Sequence, residues 1–149
     1  MPLEGEYEPS PSAWVRDQVE RYEATDGREA GTLGDTGLPV VIFTHRGRTS
    51  GKLRKTPLMR VTHAGVYAAV ASTRGGDRHP DWYANALAHP SVELLDGGQL
   101  LSLVAREVTG DERAQWWSRA CTVFPSYVGY QRRTGRRIPV LLLEPPAPA

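Results

Sequence analysis

The stretch PVVIFTHRGRTSGKLRKTPLMRVTHAGVYAAVA, residues 39–71, decides the fold. Its first apolar run, residues 39–45, is β-branched and bounded by proline and glycine, which is typical of a strand. A second run at 53–61 follows the polar loop 46–52, and a third at 66–71 follows a turn at 62–65. Connections this short join antiparallel neighbours, so the stretch predicts three strands in hairpin order.

The same reading extends outward to both ends of the chain. Ser12 stands where a helix cap is expected, and Thr109 with Glu112 has the spacing of a capping box. Two glycines, Gly97 and Gly98, mark a further hairpin turn. The predicted helices cover residues 12–24, 80–88 and 110 to about 123; the further strands cover 92–95, 100–108 and 138–144; the loops cover 27–37 and 74–78.

These elements amount to about six strands in hairpin order, with helices at the start, middle and end. Strands of this length close most easily into a small antiparallel barrel, and the βαβ alternation of a Rossmann sheet is absent. The fold class predicted is therefore α+β, mainly β with helices. At 149 residues and 16.4 kDa the chain fits one compact domain.

Composition excludes several classes of protein. The formal net charge is +1, which argues against a dedicated duplex-DNA binder. The single cysteine, Cys121, excludes an internal disulfide framework. The apolar runs are too short to span a membrane, and the acidic N-terminus lacks the features of a signal peptide, so we expect a soluble, cytoplasmic protein without a strong membrane signal.

The near-neutral total conceals a segregation of charge along the chain. Residues 1–39 hold nine acidic and three basic side chains, whereas residues 46–60 hold six basic side chains and no acidic one. A second basic group follows at Arg132, Arg133, Arg136 and Arg137. Such blocks create local potentials, although a solvated surface is the alternative for either group.

The loop Gly47–Lys52 has the chemistry of an anion site. It is one residue too short between its glycines for a nucleotide-binding P-loop, and Leu53 follows the lysine instead of Ser or Thr. Glycines permit close backbone approach, while hydroxyl and guanidinium groups nearby donate to oxyanions. We expect this loop to hold a phosphate or a carboxylate; a plain basic loop is the alternative.

Other catalytic patterns are missing. The four histidines match no metal-binding spacing, so we expect no metal. The sequence has no GxSxG elbow and no dinucleotide-binding glycine fingerprint. In contrast, Phe124, Tyr127 and Tyr130 recur every three residues and Trp82 lies three before Asn85. Aromatic rings beside a basic groove suit a flat ring that carries an anionic tail; core packing is the alternative.

Three segments together resemble the deazaflavin-dependent nitroreductase family, actinobacterial enzymes that use coenzyme F420. They are VVIFTHRGRTSGKLRKTPLMRV (40–61), VASTRGG with HPDWYANALAHP (70–90), and VFPSYVGYQRRTGRRIPV (123–140). The acidic opening resembles the branch of that family that reduces activated C=C bonds. The resemblance implies a six-stranded split β-barrel of the FMN-binding type, with an N-terminal helix and loop at 1–37, the deazaflavin-binding domain at 38–145 and a tail at 146–149.

The family's functional positions carry over residue by residue. The resemblance implies that Tyr127 contacts the cofactor and that the substrate space is bordered by Phe124, Tyr127, Tyr130 and Met59. Hydride transfer leaves negative charge on the acceptor, and the candidate donors to that charge are Ser72, Tyr127 and Tyr130. We expect Tyr130 to deliver the proton or to bind the substrate; water is the alternative general acid. The cofactor-binding positions it implies are Arg48, Thr49, Ser50, Arg54, Lys55, Thr56, Pro57, Leu58, Met59, Val70, Ala71, Ser72, Thr73, Asp81, Trp82, Tyr83, Asn85 and Tyr127.

The expected function is hydride transfer from reduced F420 to a small electrophilic acceptor: an enone, an unsaturated lactone, a quinone or a nitroaromatic. The deazaflavin carries the redox chemistry and the barrel orients it. Two alternatives stay open, an FMN-dependent reductase or oxidase on the same barrel and a cofactor-binding protein without turnover. We expect no nucleic-acid partner, and the chain could be a monomer or a homodimer.

Overall fold

One antiparallel sheet with four helices forms the molecule, a computed structural model that describes residues 3–147. Two further 3-10 turns lie at Gly34–Thr36 and Thr73–Gly75. In chain order the elements are α1 (Ala13–Thr25), β1 (Val40–Arg46), β2 (Leu53–Met59), β3 (Thr62–His63), β4 (Val66–Val70), α2 (Asp81–Ala88), β5 (Ser91–Asp96), β6 (Gln99–Glu107), α3 (Gly110–Val123), α4 (Ser126–Arg133) and β7 (Val140–Glu144).

The strand order is β2-β1-β5-β6-β7-β4-β3, and every pair of neighbours is antiparallel. The α+β class with a mainly antiparallel sheet is therefore confirmed. The described residues hold seven strands, one more than predicted. Ala64 and Gly65 both have positive φ and form the β3–β4 turn alone, which leaves Thr62 and His63 free to pair as a strand.

Two cores lie on opposite faces of the sheet. On one face, side chains of β1, β4, β5, β6 and β7 pack together with Trp82 and Ala86 of α2. Because β1 and β4 are separated by three strands and still share this core, the sheet curves strongly. On the other face, α1, α3 and α4 pack through Tyr22, Trp116 and Tyr127.

The helix ends test the predicted caps. The Ser12 hydroxyl accepts a hydrogen bond from the Val15 backbone N–H, so this cap is confirmed. The capping box at Thr109 is wrong, although α3 begins and ends where expected: Thr109 makes no capping bond. The Glu112 carboxylate instead pairs with Arg106, and a charged partner outcompetes a neutral backbone amide.

The acidic N-terminal segment lies along the sheet. Tyr7 forms a parallel bridge with Leu53, and the Leu53 N–H donates to the Glu6 carbonyl at 2.8 Å. This isolated bridge pairs the backbone of Leu53, the first residue of β2, at the outer edge of the sheet. Among residues 3–147, no helix is long and apolar enough to cross a membrane.

Candidate functional site

A cavity of about 430 Å3 opens between the 47–51 loop, β2 and the start of α2, and we call it the cationic compartment. Arg48, Arg54 and Lys55 give it its charge. Its lining comprises Glu8, Ser10, Val15, His45, Gly47, Arg48, Thr49, Ser50, Arg54, Lys55, Thr56, Pro80, Asp81, Trp82 and Asn85.

A second cavity of about 300 Å3, the apolar compartment, adjoins the first. Val15, Thr56, Pro80 and Trp82 line both and form their common wall. The lining of the apolar compartment comprises Trp14, Val15, Leu33, Val40, Thr56, Pro57, Leu58, Met59, Val70, Ser72, Thr73, Arg74, Pro80, Trp82, Phe124, Tyr127 and Tyr130.

The two compartments bring together eighteen of the twenty predicted site residues. The exceptions are Ala71 and Tyr83, which line neither cavity. Ala71 is fully buried. The Tyr83 hydroxyl donates to the Glu107 carboxylate. Burial, and after it this hydrogen bond, raises the pKa of the Tyr83 phenol to about 12. In this structure Ala71 packs in the core, and Tyr83 forms a hydrogen bond outside the two compartments.

Two backbone hydrogen bonds within the basic loop, residues 47–52, form a tight turn. The Gly47 N–H donates to the Lys52 carbonyl at 2.8 Å, and the Gly51 N–H donates to the Gly47 carbonyl at 2.9 Å. A Cβ on Gly47 would lie 2.6 Å from the Ser50 hydroxyl, so a side chain there would require the Ser50 hydroxyl to move. The turn holds the Thr49 and Ser50 hydroxyls at the cavity.

Asn85 fixes both the loop and a buried histidine. Its Oδ1 accepts from the backbone N–H and from Nη1 of Arg48, both at 3.0 Å. Its Nδ2 can only donate, and it lies 3.2 Å from Nδ1 of His45. His45 Nδ1 is therefore the acceptor, and the imidazole carries its proton on Nε2.

The His45 ring is neutral. It is 4% exposed, and burial together with the nearby charge of Arg54 lowers its pKa from 6.5 to about 4. The Nε2–H donates to no residue in the part of the chain that the structure describes. A neutral donor thus lies at the wall of the cationic compartment.

Carboxylates of the N-terminal part pair with the basic strand. Glu8 contacts Arg54 at 2.6 Å, Glu23 contacts Lys55, and Glu6 lies 3.7 Å from Lys52. Of these carboxylates, only that of Glu8 lines the cationic compartment. The positive charge of the site is therefore partly neutralised from within the chain.

The aromatic residues form one wall of the apolar compartment. The Phe124 ring lies 5.0 Å from the Tyr127 ring and 5.9 Å from the Tyr130 ring, both edge to face. Tyr127 is 4% exposed, and burial raises the pKa of its phenol. Its hydroxyl has no hydrogen-bond partner among residues 3–147. Because Tyr127 lines the cavity, its protonated phenol can donate a hydrogen bond to a ligand there.

Sequence reasoning missed several residues of the site. Glu8 and His45 line the cationic compartment, and Trp14, Leu33 and Arg74 line the apolar one. The Trp14 side chain is half exposed although it lines the apolar compartment. The opposite charges of residues 1–39 and 46–60 were the one signal that could have placed Glu8.

The donor set fits a ligand with an anionic end and a flat apolar end. Guanidinium, ammonium and hydroxyl groups suit phosphate and carboxylate oxygens, and the aromatic wall suits a planar ring. No group of three or more His, Cys, Asp or Glu side chains within the described range could hold a metal ion.

Comparison with known proteins points to one activity. The family model described as F420H(2)-dependent quinone reductase matches residues 14–145. The F420H(2)-dependent quinone reductase Rv1261c of Mycobacterium tuberculosis is 32% identical over 126 residues, which cover 82% of this chain and 83% of that protein. A solved F420-H2 dependent reductase, FDR-A, is 48% identical, with a TM-score of 0.68 over 71% of this chain and 94% of its own.

A second solved structure, a domain-swapped dimer, is 44% identical with a TM-score of 0.70. The match covers 91% of this chain and 100% of that one. Both likenesses extend over more than two thirds of this chain and nearly all of the solved chains.

Proposed function

This chain belongs to the F420H(2)-dependent quinone reductase family, and from that membership we propose where its cofactor and its acceptor bind. It is an oxidoreductase that uses reduced coenzyme F420 to reduce quinone-type acceptors. We place the phosphate-bearing, polyanionic tail of the cofactor in the cationic compartment and its deazaflavin ring in the apolar one.

The residues present fit that group. Arg48, Arg54 and Lys55 supply charge-assisted donors to the tail, with Thr49 and Ser50 as neutral donors. The common wall between the compartments matches the junction between a charged tail and a planar ring. That adjacency is the single observation that carries the proposal.

When bound, reduced F420 supplies a hydride from C5 of its ring. The chain's own residues orient the acceptor and stabilise the negative charge that develops on its oxygen. Ser72, Tyr127 and Tyr130 line the apolar compartment as candidate donors. We assign proton delivery or hydrogen bonding to Tyr130, while Phe124 and Met59 exclude water.

The range of acceptors beyond quinones is part of the proposal. An enone or an unsaturated lactone also places negative charge on a carbonyl oxygen when hydride arrives, and the same donors would meet it. Nitroaromatics are flat enough for the aromatic wall and complete the set we expect.

Binding of two deazaflavins tests the placement. Fluorescence titration with F420 and with 8-hydroxy-5-deazariboflavin, which lacks the phosphate-bearing tail, should give a much weaker affinity for the second. At low cofactor concentration, reduced F420 should support menadione reduction and the reduced tail-less deazaflavin should not. Equal affinities would show that the cationic compartment holds no tail.

The sequence alone left open an FMN-dependent enzyme and a non-catalytic binder. The F420-dependent relatives favour F420 over FMN. A parallel titration with FMN and an assay of acceptor reduction separate the three, because a binder would retain F420 and turn nothing over.

Other features of the proposal concern the whole molecule. We propose that the curved sheet is a split β-barrel spanning residues 38–145, supported by the core that β1 and β4 share. The boundaries 1–37 and 146–149 stay predictions, and residues 1–2 and 148–149 lie outside the described part. Monomer or homodimer, with a cytoplasmic location, also stays a prediction; one relative is a domain-swapped dimer.

A further inference from the structure

Arg136 belongs to the second basic group of the sequence, yet its side chain turns inward. Its Nη2 lies 3.0 Å from the Ala71 carbonyl, 2.9 Å from the Ser72 carbonyl and 2.8 Å from the Thr73 hydroxyl. Its Nε donates to the Gly76 carbonyl at 2.9 Å, and its Nη1 contacts His79. One guanidinium therefore binds the whole turn that follows β4.

The turn that Arg136 holds has an unfavourable backbone. Thr73 and Arg74 have φ values of 42° and 54°, left-handed conformations that side chains with a Cβ rarely adopt. Such conformations persist only where surrounding contacts enforce them. Within residues 3–147 the turn is held by Arg136 and by the packing of α4, and also by two local bonds: the Thr73 hydroxyl donates to the Arg78 carbonyl at 2.7 Å, and the Gly75 N–H donates to the Ser72 carbonyl at 2.9 Å.

That packing joins the turn to the aromatic wall. A Cβ on Gly75 would lie 2.8 Å from the Tyr130 carbonyl oxygen and 3.0 Å from the Tyr130 Cα. The turn backbone therefore touches the helix that carries Tyr127 and Tyr130. Ser72 and Thr73 on one side and Tyr130 on the other both line the apolar compartment.

The hydrogen bonds also set the direction of one amide. In a planar trans peptide the C=O and the following N–H point in opposite directions. Because Arg136 binds the Ser72 carbonyl, the Thr73 N–H points away from Arg136. This N–H forms no backbone hydrogen bond with the described residues.

We propose that Arg136 is a positioning residue for hydride transfer: it fixes the Ser72–Thr73 edge of the apolar compartment relative to Tyr130. This inference rests on the placement of the ring proposed above. Arg136 touches neither compartment, so it acts through the turn and contacts no cofactor or acceptor.

The test compares Arg136→Lys and Arg136→Ala with Arg137→Ala, which removes the same charge one residue away from an exposed side chain. We expect kcat for menadione to fall about 10- to 100-fold in both Arg136 variants, since misplacement by about 1 Å has effects of that size. The Kd for F420 should change less than about threefold, because the tail contacts are intact. The spectrum of bound oxidised F420 should shift.

Chemical rescue separates positioning from general stability. Guanidinium ion at millimolar concentration should restore part of the kcat of Arg136→Ala and leave Arg136→Lys and Arg137→Ala unchanged. If Arg136→Ala does not fold, the kcat and spectrum of Arg136→Lys decide. Unchanged kcat and spectrum, or a kcat loss that only follows lost melting temperature and F420 affinity, would overturn the inference. Failure of the wild-type chain to bind F420 would instead overturn the proposed function.

Discussion

The carboxylate of Glu8 lies 2.6 Å from Nη1 of Arg54, inside the compartment that we assign to the anionic tail. An internal carboxylate thus occupies a position suited to a cofactor oxygen. The tail has to displace it or share the guanidinium with it. Glu8 therefore opposes the anionic tail at Arg54, and Glu23 already pairs with Lys55, whereas Arg48 forms no ion pair with a described residue.

Replacement of this carboxylate should tighten cofactor binding. Glu8→Gln keeps the shape and removes the charge, and we expect the Kd for F420 to fall by roughly two- to fivefold, since partly exposed ion pairs are worth about 1 kcal/mol or less. Isothermal titration calorimetry measures it. Glu6→Gln is the matched control, because Glu6 pairs with Lys52 and lines neither compartment. A weaker Kd for Glu8→Gln would show that Glu8 assists the tail.

Loss of the basic pair should have the opposite effect. The double variant Arg54→Ala, Lys55→Ala should weaken F420 binding by tens-fold or more, since each charged hydrogen bond contributes about 1.5–3 kcal/mol. Fluorescence titration reports the Kd, and Lys52→Ala, outside the cavity, serves as control. Unchanged affinity would remove both residues from the tail site.

Tyr130 should affect turnover more than binding. We expect Tyr130→Phe to lower kcat for menadione by about tenfold or more, in the lower range of proton-transfer effects, with little change in the Kd for F420. Tyr127→Phe, assayed in parallel, distinguishes the contribution of the half-buried Tyr130 hydroxyl from that of the buried Tyr127. Weaker F420 binding with a normal kcat would move Tyr130 from the acceptor to the cofactor.

The neutral state of His45 makes stability depend on pH. Its pKa is about 4 in the folded chain and about 6.5 when unfolded, so the unfolded chain binds the extra proton between these values. The free energy of unfolding should therefore fall as pH drops through this window. The His45 contribution should decrease by about 2 kcal/mol from pH 7 to pH 5. Urea unfolding of wild type and His45→Gln at both pH values isolates it, and equal pH dependence in the two would contradict the assignment.

Two glycines near the aromatic wall should respond in opposite ways to alanine. Gly75 has φ +81° and its Cβ would meet the Tyr130 backbone, so Gly75→Ala should cost about 1–3 kcal/mol of folding stability. Gly129 lies in α4 with no atom near its Cβ, so Gly129→Ala should add about 0.5–1 kcal/mol. Chemical denaturation measures both. Equal signs would refute the direct contact of the turn with α4.

The pattern of apolar residues along the sequence predicted most of the sheet, because the apolar runs are the segments that become buried. Six of the seven residues of β1 are buried, as its apolar run indicated, and the Gly97–Gly98 turn joins β5 to β6. The predicted turn at 62–65 is shorter in the structure, because Ala64 and Gly65, both left-handed, reverse the chain alone. Thr62 and His63 therefore pair as a two-residue strand. Hairpins are local, and local chemistry specifies them.

Long-range partners were beyond the sequence. The Thr109–Glu112 spacing was correct for a cap, but Arg106 took the carboxylate. The basic residues of 46–60 were expected to bind a ligand. No pattern in the sequence indicated that Glu8 and Glu23 would pair with two of them in the free chain. Arg136 looked like its exposed neighbours, because only the folded chain brings it to the Ser72 carbonyl. Such pairings depend on which elements meet in space.

The common wall of Val15, Thr56, Pro80 and Trp82 has a practical consequence. Two fragments, a small phosphate or dicarboxylate and a tail-less planar heterocycle, should occupy their halves simultaneously and without competition. A short tether that crosses at Trp82 would then join them into an inhibitor whose affinity exceeds that of either half.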